Sequence, residues 1–239
     1  MNTNAVHVST PEEIKQHGRP LPMLCVWSKQ EAEDYRKCRA CVCGNFAEVD
    51  PTQQSWTAQA EPSSLLASLK IGRVNNWMTS KHDVKGAFLN AVLPEGRLVV
   101  VSPPEQWIRW GLVEPGTLWT LEKAVYGLRE SPALWSAERD CQLRNLEWKV
   151  DNKTYYLRCC PSDSQVWLLT QKGDTSNTLL GILIVYVDDF LLQTEAGPMR
   201  NAFLEALGHV WTLDKEKTLT GGTPFTFLGI EMIMQTNGD

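Results

Sequence analysis

"LLGILIVYVDDFLLQT", residues 179–194, is the stretch on which the fold turns. Nine apolar or small residues, Leu179 to Val187, run into two adjacent aspartates, and Phe190, Leu191 and Leu192 follow. Burying ionised carboxylates is costly unless a positive charge sits against them, so the surroundings of Asp188 and Asp189 are the question. Two geometries fit the text. In one continuous strand, Tyr186 and Asp188 share a face, and Val187 and Asp189 share the other. In a hairpin with a two-residue turn at Val187-Asp188, both carboxylates stand near the tip. Asp is common in turns, yet this turn has no glycine, and two like charges side by side repel. Solvated turn carboxylates and a cation-binding pair both remain open on spacing alone.

The chain around this stretch has 239 residues, enough for a substantial core in one large domain or two small ones. Its 43% hydrophobic and 21% charged residues are ordinary for a soluble globular protein. The quoted segment is the longest apolar run and is too short to cross a bilayer. The N-terminus, "MNTNAVHVSTPEEIKQHG", lacks the basic start and apolar core of a signal peptide. The expectation is an intracellular chain, not secreted, with no membrane partner. A net charge of −5 gives no global attraction to nucleic acid, which would need a local basic surface. The seven cysteines are expected as thiols. "CRACVC" (Cys38, Cys41, Cys43) has a superficial zinc look, but a structural site needs four ligands, and the adjacent Cys159 and Cys160 are poor chelators. Small residues alternating along a strand account for it better.

Periodicity and punctuation give the elements. Residues 21–27 and 37–46 read as two strands of a hairpin with a polar connection. "EPSSLLASLKIGRVNNW" opens a short helix at Pro62. "WMTSKHDVKGAFLN" reads as a strand ending near Asp83, then a turn around Gly86. Further strands are expected in "RLVVVSPP", "GTLWTL", "QVWLLT" and "LLGILIVYV", with a helix entered through Ser131-Pro132 and another over "GPMRNAFLEALGHVW". "PFTFLGIEMIM" closes the chain as a strand or hairpin. Strands and helices in this irregular order predict an α+β fold, an antiparallel sheet with helices on one face.

A divalent cation would relieve the Asp188–Asp189 repulsion, since magnesium takes one or two carboxylates together with waters and substrate phosphates. Such a site wants a third carboxylate. Asp83 in "SKHDVKGAFLN" is the best candidate, at a strand end before a turn.

Several blocks then carry a resemblance. "YVDD" (Tyr186 to Asp189) inside an apolar hairpin resembles the catalytic box of reverse transcriptases. "KCRACVCGNF" resembles the fingers strand K-x-R-x-V-x-x-G of the Ty1/copia class. "HDVKGAFLN" is similar to D-V-K-x-A-F-L-N, which carries that family's first catalytic aspartate. "LEKAVYGLRESPALW" is similar to L-x-K-x-L-Y-G-L-K-Q-x-P-R-x-W, and "FLGIEM" to the segment closing the palm. The blocks occur in the family's order, from about Leu21 to Met232.

The resemblance implies a polymerase right-hand palm with a small fingers lobe. Residues 1–20 would be a flexible segment, the fingers about 21–75 with parts of 95–135, and the palm about 76–94 and 136–239. It implies an RNA-directed DNA polymerase acting by two-metal nucleotidyl transfer. Asp83, Asp188 and Asp189 would be the catalytic carboxylates and the ligands of two Mg²⁺ ions. Lys37, Arg39, Val84, Phe88, Tyr126 and Gly127 would bind the dNTP, with Phe88, five residues after Asp83, excluding the ribose 2′-hydroxyl. Arg129, Tyr186, Phe227, Leu228 and Gly229 would meet primer or template. The implied partners are an RNA or DNA template with its primer, dNTPs, and the RNase H and integrase segments of a Pol polyprotein, in a cytoplasmic particle or the nucleus. Two departures matter. Glu130 stands where the family has glutamine, placing an acid near the template path. The text after the palm-closing strand is short, so the thumb is expected to be absent or incomplete. The competing reading is a degenerate palm that binds nucleic acid or protein without polymerising.

Overall fold

The computed structural model describes residues 4–30, 35–48, 56–222 and 224–234. In chain order the elements are β1 (Val6–Val8), α1 (Pro11–His17), β2 (Leu21–Gln30), β3 (Tyr35–Val42), α2 (Pro62–Val74), β4 (Met78–Asp83) and β5 (Val100–Ser102). There follow α3 (Glu105–Arg109), β6 (Trp119–Leu121), α4 (Ser131–Asn145), β7 (Glu147–Val150), β8 (Lys153–Cys160) and β9 (Asp163–Gln171). The chain continues through β10 (Gly181–Tyr186), β11 (Asp189–Thr194), α5 (Pro198–Val210), β12 (Lys217–Thr218), β13 (Phe225–Phe227) and β14 (Ile230–Met232). They belong to an α+β fold of two compact units. One is Met1–Thr57 with Gly86–Glu138, and the other is Ala58–Lys85 with Arg139–Asp239.

The first unit is built on a five-stranded sheet in the order β1-β6-β5-β2-β3. The β2–β3 hairpin matches its sequence pattern, while its connection, residues 31–34, lies outside the described residues. Leu21, Met23, Val42, Val99, Val101, Leu121, Val125 and Leu128 form its core. Residues 1–20, expected to be flexible, instead contribute β1, paired with β6, and α1. The reason is local: Thr10 and Glu13 form a reciprocal capping box, and Pro11 opens the helix without wasting a donor. All seven cysteines are free thiols, with Cys38 and Cys41 on β3.

The second unit carries a seven-stranded sheet, β12-β4-β11-β10-β9-β8-β7, in which every pairing is antiparallel. Strand alternation sorts its residues cleanly. Ile182, Ile184 and Leu191 lie on one face, under α2 and the β13–β14 hairpin, with Leu65, Phe225 and Phe227. Trp167 and Phe190 lie on the other, against Arg144 of α4 and Trp211 at the end of α5. Thus α5 and the second half of α4 share one face, as expected, and α2 covers the opposite one. The β7–β8 hairpin, not foreseen in the sequence, turns at Asp151-Asn152. Both have positive φ, 48° and 61°, a conformation Asn and Asp tolerate. Helix α2 and residues 86–94 also divide differently from expectation, the former joining the palm-like unit and the latter the fingers-like one. Among the described residues no helix is long and apolar enough to cross a membrane.

Candidate active site

The Val187-Asp188 pair forms a two-residue turn between β10 and β11, with Tyr186 paired across it to Asp189. Val187 adopts φ 55°, where a β-branched side chain is strained. Next to this hairpin runs β4, and its register sets Asp83 directly opposite Asp189. The Val84 N–H donates to the Asp188 carbonyl (2.9 Å), locking the strand end to the turn. A third connection comes from Asp214, whose N–H donates to the Asp83 carbonyl (2.8 Å). Carboxylates more than a hundred residues apart in the chain therefore gather at one strand end.

Their charges are felt. Burial, followed by the negative charges of Asp188, Asp189 and Asp214, pushes the Asp83 carboxyl up to about 6. Lys81, two residues earlier on the same face of β4, partly offsets this. Its ammonium lies 2.7 Å from Asp189 Oδ2 and also donates to the Thr226 carbonyl (3.1 Å) of β13. Asp189 is thereby turned to Lys81. Among the described residues no group of three or more His, Cys, Asp or Glu side chains closes tightly enough to hold a metal ion. The donor set nonetheless suits a divalent cation. Asp83 at a strand end and Asp188 in the adjoining turn bring carboxylate oxygens together, and burial with the neighbouring negative charges keeps the Asp83 carboxyl elevated.

Beneath the carboxylates, on the other face of β4, His82 Nε2 lies 2.9 Å from Ser80 Oγ. The Arg200 guanidinium of α5 donates to the same hydroxyl (2.5 Å) and pairs with Glu216. Burial pushes the His82 imidazole below its ordinary value, with the Glu216 charge opposing the shift and the Arg200 charge adding to it. Lys81, Asp214, Arg200 and Glu216 escaped the sequence reading. Only Lys81 left a signal there, its i−2 position relative to Asp83 on a strand.

The other expected residues of this unit are accounted for as follows. Val84 is buried and bridged to Leu213. Tyr186 meets the Phe227 ring edge-on at 6.3 Å, and Phe227 is core. Leu228 and Gly229 form the two-residue β13–β14 turn. In the first unit, the Arg39 guanidinium lies over the Tyr126 ring (5.7 Å), and Tyr126 meets Phe88 edge-on at 4.9 Å. Lys37 stands exposed on the same face of β3 as Arg39. Gly127 has a packing reason that sequence reasoning did not supply: at φ 88°, a Cβ there would lie 2.0 Å from the Val42 carbonyl oxygen. Arg129 reaches the Asn45 carbonyl at 3.4 Å. Glu130 corrects an expectation. It is buried and bound by Arg97 (Nη2 to Oε1 2.8 Å), so its charge is compensated within the fold.

The reverse transcriptase (RNA-dependent DNA polymerase) family matches residues 7–239. The chain belongs to the Ty1/copia-type reverse transcriptases. No curated protein matches this reverse transcriptase chain significantly. Among solved structures, it is similar to a foamy viral protease-reverse transcriptase (dRH) in complex with double-stranded DNA, with a TM-score of 0.50 and 14% identity. The match covers 96% of this chain but 31% of that one, so the chain spans about a third of the viral protein's length. At this identity the likeness concerns the fold, which is that of a reverse transcriptase polymerase.

Proposed function

We propose that this reverse transcriptase chain is the polymerase segment of a copia-like Pol polyprotein, extending a primer on an RNA or DNA template inside the cell. The observation that carries the reading is the register that sets Asp83 opposite Asp189, with Asp188 in the adjoining turn. In the reaction, the primer 3′-hydroxyl gives up its proton to water and its oxygen bonds to the α-phosphorus of a dNTP. The bond from that phosphorus to the bridging oxygen breaks, and pyrophosphate leaves. Asp83 and Asp188 would hold two Mg²⁺ ions, with Asp189 alongside, and the ions would neutralise charge developing on the phosphoryl oxygens. The Val84–Asp188 hydrogen bond fixes the turn backbone against the strand end, which limits how far the two carboxylates would have to move before reaction. In the metal-free protein the Asp83 carboxyl, pushed up to about 6 by burial and the neighbouring carboxylates, is half-ionised near that pH, and a bound cation would favour its ionised form. By the family resemblance, Lys37 and the Arg39–Tyr126–Phe88 cluster are our candidates for the nucleotide: arginine and lysine would meet its phosphates and the Phe88 ring its sugar.

A second reading, a palm that binds nucleic acid or protein without polymerising, draws support from the Lys81–Asp189 ion pair, which engages one carboxylate internally. Incorporation of dTTP on poly(rA) primed with oligo(dT), with magnesium added, separates the two. Polymerase activity gives magnesium-dependent incorporation, and its absence leaves the binding palm.

A further inference from the structure

The turn that bears Asp188 is held from outside its hairpin at both carbonyls. The Asp188 carbonyl accepts from Val84, as described. The Val187 carbonyl accepts from Arg139 Nη1 (3.3 Å), on α4. Val187 sits at φ 55°, a conformation a valine keeps only where its surroundings over-determine it. These two hydrogen bonds tie the turn to segments outside the β10–β11 ladder.

Arg139 is built for the role. Its side chain is 2% exposed, and its fork is anchored before it reaches the turn. Nε and Nη2 donate to Asp140 Oδ1 (3.0 and 2.8 Å), and Nη2 also donates to Gln165 Oε1 on β9 (2.8 Å). A guanidinium is planar and permanently charged, so fixing two of its nitrogens fixes the direction of the third. The cation is costly to bury, and a well-packed apolar residue would fill the same place at lower cost. What an apolar side chain cannot supply is a rigid donor aimed at a turn carbonyl. The Asp140 carboxylate compensates the charge next to it, leaving Nη1 available to the turn.

We propose that Arg139 is a positioning residue for polymerisation, holding the Val187-Asp188 turn in the conformation that presents the Asp188 carboxylate next to Asp83. The inference rests on the reading of Asp83 and Asp188 as the reactive carboxylates. A merely structural arginine would hold the unit together as a whole, and its loss would loosen β8–β9 and α5 as much as the turn. A positioning arginine acts on the turn beyond them.

The test replaces Arg139→Met together with Asp140→Asn, which removes the donors without stranding a carboxylate. Amide hydrogen exchange is followed over residues 185–190, over β8–β9 and over α5, and primer extension is followed in parallel. The expected result is exchange about ten-fold faster at the turn, with β8–β9 and α5 unchanged. It is accompanied by a kcat at least ten-fold lower and a KM for dTTP within about two-fold of the parent. Unchanged exchange at the turn, or equal loosening of β8–β9 and α5, overturns the proposal. Should the double variant fail to fold, Arg139→Lys is read on the same scale. Lysine keeps the charge but not the fork, so faster turn exchange with a reduced kcat supports the clamp, and parental values for both overturn it. If the parent protein extends no primer, the polymerase reading fails, while the exchange comparison still decides whether Arg139 holds the turn.

Discussion

Two hairpins of the second unit, β10–β11 within its seven-stranded sheet and β13–β14 packed on one face of it, solve their turns differently. The β13–β14 hairpin turns at Leu228-Gly229, with φ 55° and 72°, so glycine takes one of the two left-handed positions. The β10–β11 hairpin turns at Val187-Asp188, with a valine at φ 55° and a carboxylate next to it. The first turn is close to what local chemistry favours. The second violates it, and is held by hydrogen bonds from β4 and α4. Strain supported from elsewhere marks the hairpin whose turn residue has work to do. The two are joined by Lys81, which pairs with Asp189 and donates to Thr226.

If that contrast is right, Asp188→Asn should lower primer extension by about 10²–10³-fold or more, with an unfolding midpoint near that of the parent. The change removes charge and almost no volume. In the other hairpin, Gly229→Val should leave the chemistry far less affected and cost about 1–2 kcal/mol of stability, read by urea unfolding. No atom stands within 4 Å of a Cβ at that position, so the cost there is conformational.

Asp83→Asn should stabilise the fold at pH 7.5 by on the order of 1 kcal/mol, discounted for a partly exposed group. The sign follows from the carboxyl being pushed up to about 6. A raised folded value makes the ionised form costly, so the parent gains stability as pH falls from 6 towards the unfolded value near 4, about the unperturbed carboxylate figure. The gap between variant and parent should therefore open between those limits and be absent below them, as thermal melts at pH 3.5 and 7.5 would register. The smallest effect is expected of Val187→Gly. Relief of the left-handed strain and loss of a half-buried side chain nearly cancel, leaving stability within about 1 kcal/mol of the parent. A large loss there would mean that the valine packs rather than strains.

The β10–β11 hairpin is one of two geometries open to an apolar run broken by two acids, and the family resemblance selects it, while β4, α2 and α5 follow from strand endings and helical spacing. The β7–β8 hairpin escaped because "EWKVDNKTYYL" follows a helix directly, and its Asp151-Asn152 turn lacks the glycine that usually flags one. At the site, Asp83, Asp188 and Asp189 were readable from motifs, but their juxtaposition comes from register, which no single strand declares. Arg139 reaches Val187 from 48 residues away and Arg200 reaches Ser80 from 120, while Asp214 meets Asp83 from still further along the chain, and no periodic pattern in the sequence announces these contacts. Glu130 looked like an acid at the template path for the same reason, since its partner Arg97 lies 33 residues earlier.

The proposed polymerase function requires that Asp83 and Asp188 jointly offer a divalent cation its oxygen ligands. Titration of the protein with Mn²⁺, followed by electron paramagnetic resonance of the free ion, tests it without turnover. The account predicts saturable binding in the parent protein that is lost or at least ten-fold weaker in Asp83→Asn and in Asp188→Asn. Equal binding by all three proteins would contradict it.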